Sequence, residues 1–207
     1  MCFIQQLTSF KIIAILRGLP ADKVIPVAEV LQEAGIRFIE ITMNSPEPLK
    51  NIERLVTKMG DQLRIGAGTV LDVKSAADAI KAGASFILSP IVDLALIEAT
   101  KKMGAISIPG AFTPTEVFLA HKAGADIVKV FPAISPAYIR DLKGPLPQIP
   151  LLPTGGIVLN NSRAYLDAGA IGLGVGNALV NSRQPVTDAY LAALKTNAQQ
   201  FIEAIHS

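Results

Sequence analysis

The chain has 207 residues, with 19 lysines and arginines against 17 aspartates and glutamates, so it is close to neutral at +2. Half of it is hydrophobic and only 17% is charged, which supplies a large core, excludes a disordered chain and leaves no bulk charge for nucleic acid or an anionic membrane. The single cysteine, Cys2, excludes an internal disulfide or a cysteine zinc cluster and points to a reducing, cytoplasmic setting.

In chain order, MCFIQQLTSFK lacks a basic residue ahead of its apolar positions and reads as a helix near Phe3–Phe10, not as a signal peptide. A strand at Lys11–Leu16 and an amphipathic stretch at Asp22–Ala34 follow. Five times from there on, a helix-like stretch ends in a small residue and glycine and runs into an apolar strand. The instances are EAGIRFIEIT from Glu33, KAGASFILSP from Lys81, KMGAISIPG from Lys102, KAGADIVKVFP from Lys122 and DAGAIGLGVG from Asp167. Between them, Pro46–Met59, Val73–Ala82, Asp93–Met103 and Thr115–Ala123 read as amphipathic helices, and Arg64–Gly68 and Pro150–Thr154 as further strands. A last helix is placed near Pro185–His206.

Mean hydropathy is +0.43, yet the longest uncharged run, Gly144–Ser162, is broken by Pro145, Pro147, Pro150 and Pro153 and cannot span a bilayer as one helix. Strand starts about 20–27 residues apart fit compact strand–loop–helix units. Eight such units predict a single (β/α)8 TIM barrel domain over residues 1–207 with an extra N-terminal helix. An open doubly wound sheet gives the same local alternation.

Parallel strands covered on both faces should be almost wholly apolar, so their polar residues stand out. Read with period two, Arg17 shares a face with Ile13 and Ile15, Glu40 with Phe38 and Thr42, Thr69 with Ile65 and Ala67, and Lys129 with Ile127 and Phe131. All four lie near the carboxyl ends of their strands, where a barrel builds its active-site mouth. A buried lysine is kept neutral often enough to be a nucleophile, and a carboxylate beside it can move its protons. LPTGGIVLNN and LGVGNALV place glycines between a late strand and a helix, where free backbone N–H groups can cradle a phosphate. His121 is read on an exposed helix turn and His206 in the tail; no metal motif appears, and no cofactor is expected. Met59, Met103 and Phe118 recur at helical spacing and read as core.

The ordered set AILRG (Ala14–Gly18), EITMNSP (Glu40–Pro46), GAGTVL (Gly66–Leu71), Ser89–Pro90, PGAFTPTE (Pro109–Glu116), KVFPA (Lys129–Ala133) and PTGGI (Pro153–Ile157) resembles the KDPG/KHG aldolase family. The resemblance implies a (β/α)8 barrel, a homotrimer, and metal-free class I (Schiff-base) cleavage of a keto acid. The substrates it implies are 2-keto-3-deoxy-6-phosphogluconate (KDPG), its phosphogalactonate epimer (KDPGal) or 4-hydroxy-2-oxoglutarate (KHG). It assigns Lys129 to the Schiff base and Glu40 to general acid/base work. Arg17 and Thr69 are assigned to the substrate carboxylate, Pro90 and Phe131 to the pyruvate pocket, and Thr154, Gly155, Gly156, Gly176 and Asn177 to the phosphate end. The chain departs from some members at Asn44, where they carry an arginine, and at Asn177, where serine is frequent. A phosphosugar isomerase or epimerase on the same barrel, and a non-catalytic sugar-phosphate binding protein, are the rival readings.

Overall fold

The computed structural model describes residues 2–206. Its strands are β1 (Ile12–Leu16), β2 (Phe38–Thr42), β3 (Arg64–Gly68), β4 (Phe86–Leu88), β5 (Ile106–Ile108), β6 (Gly110–Ala111), β7 (Val128–Val130), β8 (Leu151–Pro153) and β9 (Leu173–Val175). All pair in parallel, in the orders β5-β4-β3-β2-β1-β9 and β6-β7-β8. Two seams join these sheets into one ring. Pro109 has no N–H and splits a single staves' length into β5 and β6, while its carbonyl still accepts from Lys129 N–H at 2.9 Å. On the far side a Thr154↔Gly174 bridge links β8 to β9. With β5 and β6 taken as one interrupted strand, the ring has eight members, which is the predicted (β/α)8 barrel and not the open sheet.

Helices alternate with the strands: α1 (Phe3–Phe10), α2 (Val24–Glu33), α3 (Pro48–Met59), α4 (Val73–Lys81), α5 (Leu94–Lys102), α6 (Pro114–Lys122), α7 (Pro136–Lys143), α8 (Leu159–Asp167) and α9 (Asp188–His206). The recurrent glycines are the hinges from helix to strand. Gly35, Gly83, Gly104, Gly124 and Gly169 all have φ between 79° and 106°, a region that a side chain disfavours. N-termini are fixed by side chains: Asp72, Asp93 and Ser135 accept the N–H of Ser75, Leu96 and Tyr138. At α6, Thr113 and Glu116 form a reciprocal cap, so the TPTE of the resemblance motif is partly a helix start.

Two separate apolar layers follow from the period-two alternation. Ile39, Ile41, Ile65, Ala67, Val128 and Val130 pack outward against the helices. Ile13, Phe38, Phe86, Leu88, Ile127 and Leu152 fill the barrel interior. Helix α1 closes the N-terminal end from below: Leu7 is fully buried, and the Phe3 ring meets Phe38 edge-on at 5.1 Å and Phe86 at 5.3 Å. Helix α9 packs on α2 and α8 and completes the outer ring.

Several expectations are corrected. Helix α7 was not anticipated; Ser135 and Pro136 are its start signals. Phe118 is not core, being 47% exposed on the outer face of α6, whereas Met59 is buried. LGVGNALV leads into a single turn, with Leu179 and Val180 N–H bonded to Gly176 O, and the next helix begins only at Asp188. His206 ends α9, within the last helix expected near Pro185–His206, whereas His121 is half-buried with an unpartnered Nδ1 among the described residues. No helix among the described residues is long and apolar enough to cross a membrane, and no cluster of three or more potential metal ligands occurs among them.

Candidate active site

The interior changes character toward the carboxyl ends of the strands. Glu40 on β2 is wholly buried and Lys129 on β7 is 4% exposed. Parity places both inward, with Phe38 and Ile127 below them in the apolar interior. Glu40 needs space that a normal strand would not leave: a Cβ on Gly68 of the neighbouring β3 would fall inside its carboxyl group. The register pairs Thr42 with Gly68, and Glu40 leans along its strand into the gap.

Neither Glu40 oxygen has a hydrogen-bond partner among the described residues. Burial pushes its pKa up, with the Lys129 and Arg17 charges opposing by less. Burial likewise pushes the Lys129 amine down; Glu40 opposes this and Arg17 adds to it. The two groups therefore shift toward their neutral forms, the state in which an amine attacks a carbonyl and a carboxylic acid can give up a proton. The Lys129 Nζ also lies 4.9 Å from the centre of the Phe131 ring.

Above this pair a cavity of about 420 Å³ is lined by Arg17, Lys129, Phe131, Thr154, the Gly155–Gly156 turn and Gly176–Asn177. The structure thus brings together eight of the residues singled out in the sequence around one cavity, and Glu40, whose charge acts on Lys129, is a ninth buried beside them. Thr69 also belongs to this mouth, by a route that period two did not foresee. Ile65 and Ala67 face the outer helices, so strand geometry would carry Thr69 outward with them. Its φ of 56° breaks the alternation, and its hydroxyl accepts from Arg17 Nη2 at 3.2 Å. Pro90 stands apart: it lines a neighbouring groove with Ile91, Gly110, Phe112 and Leu119, and only Phe131 borders both spaces.

The glycine turn at the far end is held open. Gly155 and Gly156 have φ of 85° and 74°. The N–H groups of Gly155, Gly156 and Ile157 enter no backbone bond among the described residues, so they are available to an anion beside the start of α8. Asn161 fixes the turn from below, its Oδ1 accepting from Val158 N–H and its Nδ2 donating to Gly156 O, both at 2.9 Å. The sequence reading missed Asn161, although its position three residues after the cap is a recognisable signal. It also missed Gly68, whose signal was a small residue on the inward face opposite a large one.

Comparison with known proteins agrees with the barrel fold. The family model for KDPG and KHG aldolase matches residues 3–193. The 2-dehydro-3-deoxy-6-phosphogalactonate aldolase of Escherichia coli (strain K12) is 36% identical over 185 residues, covering 88% of this chain and 90% of that one. A solved native KDPGal structure superposes with a TM-score of 0.88 at 33% identity, covering 94% of each chain. The KDPG aldolase of Legionella pneumophila, captured with pyruvate as a covalent carbinolamine, superposes at 0.81 with 26% identity, covering 99% of this chain and 97% of that one. The isomerase reading finds no support in them. On the family match and the identity over most of both chains, this protein belongs to the KDPG and KHG aldolase family and is an aldolase of the metal-independent Schiff-base class.

Proposed function

We propose that the chain cleaves KDPG, its KDPGal epimer or KHG, releasing pyruvate and an aldehyde such as glyceraldehyde 3-phosphate, with Lys129 as the Schiff-base lysine and Glu40 as the acid/base. One observation carries the assignment. A buried, unpartnered carboxyl group and a buried amine act on each other's charge in the barrel interior, and the amine lines an open cavity.

The Lys129 nitrogen adds to the C2 carbonyl carbon; Glu40 relays one of the amine's protons to the oxygen and then gives up its own, so that the oxygen leaves as water. The resulting iminium is an electron sink. Glu40, now ionised, takes the proton of the C4 hydroxyl; the C3–C4 bond electrons move into the iminium, giving an enamine on the lysine and a C4 aldehyde. Glu40 returns that proton to C3, and hydrolysis frees pyruvate and the amine. Arg17, steadied by Thr69, holds the substrate carboxylate and so sets the ketone against the amine. Phe131 walls the reacting carbons, and Pro90 shapes this wall from the adjacent groove. Thr154, Gly155, Gly156, Gly176 and Asn177 take the phosphate, binding energy spent on orientation.

We further propose that one barrel domain carries the whole activity, that the enzyme is cytoplasmic, and that it assembles as a homotrimer. Exposed Ile91, Leu94, Phe112 and Leu119 line one groove beside the mouth and support self-association. The function is tested by treating the protein with pyruvate and borohydride. A mass adduct on the peptide bearing Lys129 is expected, and its absence with retained turnover removes the mechanism. Side-by-side kcat/KM values for KDPG, KDPGal and KHG identify the substrate, and light scattering reads the assembly.

A further inference from the structure

Arg17 is exposed on the loop after β1, and the side-chain partner it bonds is Thr69. A long flexible side chain is a poor clamp unless its backbone is fixed, because each freed degree of freedom weakens its aim. The backbone is fixed from the loop that follows the adjacent strand, β2. Gly18, with φ of 69°, donates its N–H to Ser45 Oγ at 2.9 Å. That oxygen lies 2.8 Å from Thr42 Oγ1, and Thr42 is wholly buried two residues beyond Glu40 on the same face of β2. The loop presenting Ser45 is itself tied down. Ser45 N–H bonds Thr42 O at 3.0 Å, and the buried Asn51 donates to Pro46 O at 2.9 Å.

We infer that Ser45 is a positioning residue that, through Gly18 and Thr42, holds the Arg17 loop in register with the strand bearing Glu40. The inference rests on the proposed role of Arg17 at the substrate carboxylate. One hydroxyl thus fixes the distance between the group that orients the substrate and the group that moves its protons.

The test is a double-mutant cycle with kcat and KM read separately and folding checked by thermal melting. Arg17→Ala should raise KM strongly. Ser45→Ala should raise KM about three- to tenfold, the worth of one lost hydrogen bond, with kcat within about twofold. In the Arg17→Ala background the Ser45→Ala effect should vanish, and Ser45→Thr should restore the wild-type KM. Thr42→Val, which removes the supporting hydroxyl at nearly constant volume, should act in the same direction by less, and it serves if Ser45→Ala folds poorly. A Ser45→Ala effect of equal size with and without Arg17 overturns the positioning role and leaves the carboxylate role standing. A silent Arg17→Ala overturns both.

Discussion

The two halves of the barrel interior are built from the same eight strands and solve opposite problems. The N-terminal half is apolar and filled: the Phe3, Phe38 and Phe86 rings meet at steep angles in one cluster with Leu7, and Gly66 is glycine because a Cβ there would run into the Phe86 ring. The C-terminal half is buried but unfilled in chemical terms. Glu40 has no hydrogen-bond partner, Lys129 is held next to it, and Gly68 is glycine to admit a carboxyl group instead of a ring. Orphaned buried groups cost free energy, so the lower half stabilises a fold in which the upper half can be kept reactive.

That division separates activity from stability, and substitutions in each half should separate them too. Lys129→Met should abolish turnover, by about 10⁴-fold or more, while melting at or above the wild-type temperature, since it removes a buried amine and keeps the volume. Turnover retained within tenfold would remove the proposed nucleophile. Glu40→Gln should slow the reaction by about 10²–10⁴-fold. Its stability has a pH signature. Burial keeps the Glu40 proton on to a higher pH in the folded state than in the unfolded chain, so the wild type loses stability as pH rises through that gap. Glutamine does not titrate; the variant should therefore melt higher than wild type at neutral pH, and the difference should close on acidification below the ordinary carboxylate range. A constant difference at all pH values would contradict the burial of a titrating carboxyl.

In the lower half the signs reverse. Phe38→Ala should cost about 3–5 kcal/mol of stability in denaturant unfolding, with kcat/KM of the folded fraction close to wild type. A specific loss of kcat there would mean that the halves are coupled. Gly68→Ala tests the boundary between them. The added Cβ overlaps the Glu40 carboxyl, which must move, and an ångström of displacement at an acid/base group should cost about 10²-fold in kcat.

How much of this was legible in the sequence follows the same boundary. The barrel was readable because five glycines at helix ends, all left-handed in the structure, punctuate strands of nearly uniform apolar character. Glu40 and Lys129 were readable because a charge in such a strand is conspicuous. Thr69 reached the site for a reason that parity could not supply, its backbone leaving the strand conformation at that residue. Asn161, Thr42 and Ser45 were hidden because their work is done through hydrogen bonds to backbone or hydroxyl groups of other loops, which no single-strand pattern encodes. Phe118 was misread because helical spacing does not say which face of a helix is covered.

The smallest expected effect is also the one that most sharply divides support from chemistry. Thr113 looks functional by its place in PGAFTPTE, at the rim beside Phe112. Its hydroxyl accepts from Glu116 N–H at 3.3 Å, while Glu116 Oε2 accepts from Thr113 N–H at 2.7 Å and Phe112 N–H at 2.9 Å. Those bonds satisfy the first turn of α6 and spend the carboxylate, whose pKa they lower; nothing in the set points into the cavity that holds Lys129. Thr113→Ala should therefore cost about 1 kcal/mol in denaturant unfolding and leave both kcat and KM unchanged. A KM rise without loss of stability would move this rim from the scaffold into the substrate site, and the line between the two halves of the interior would then have to be redrawn to include the loop after β6.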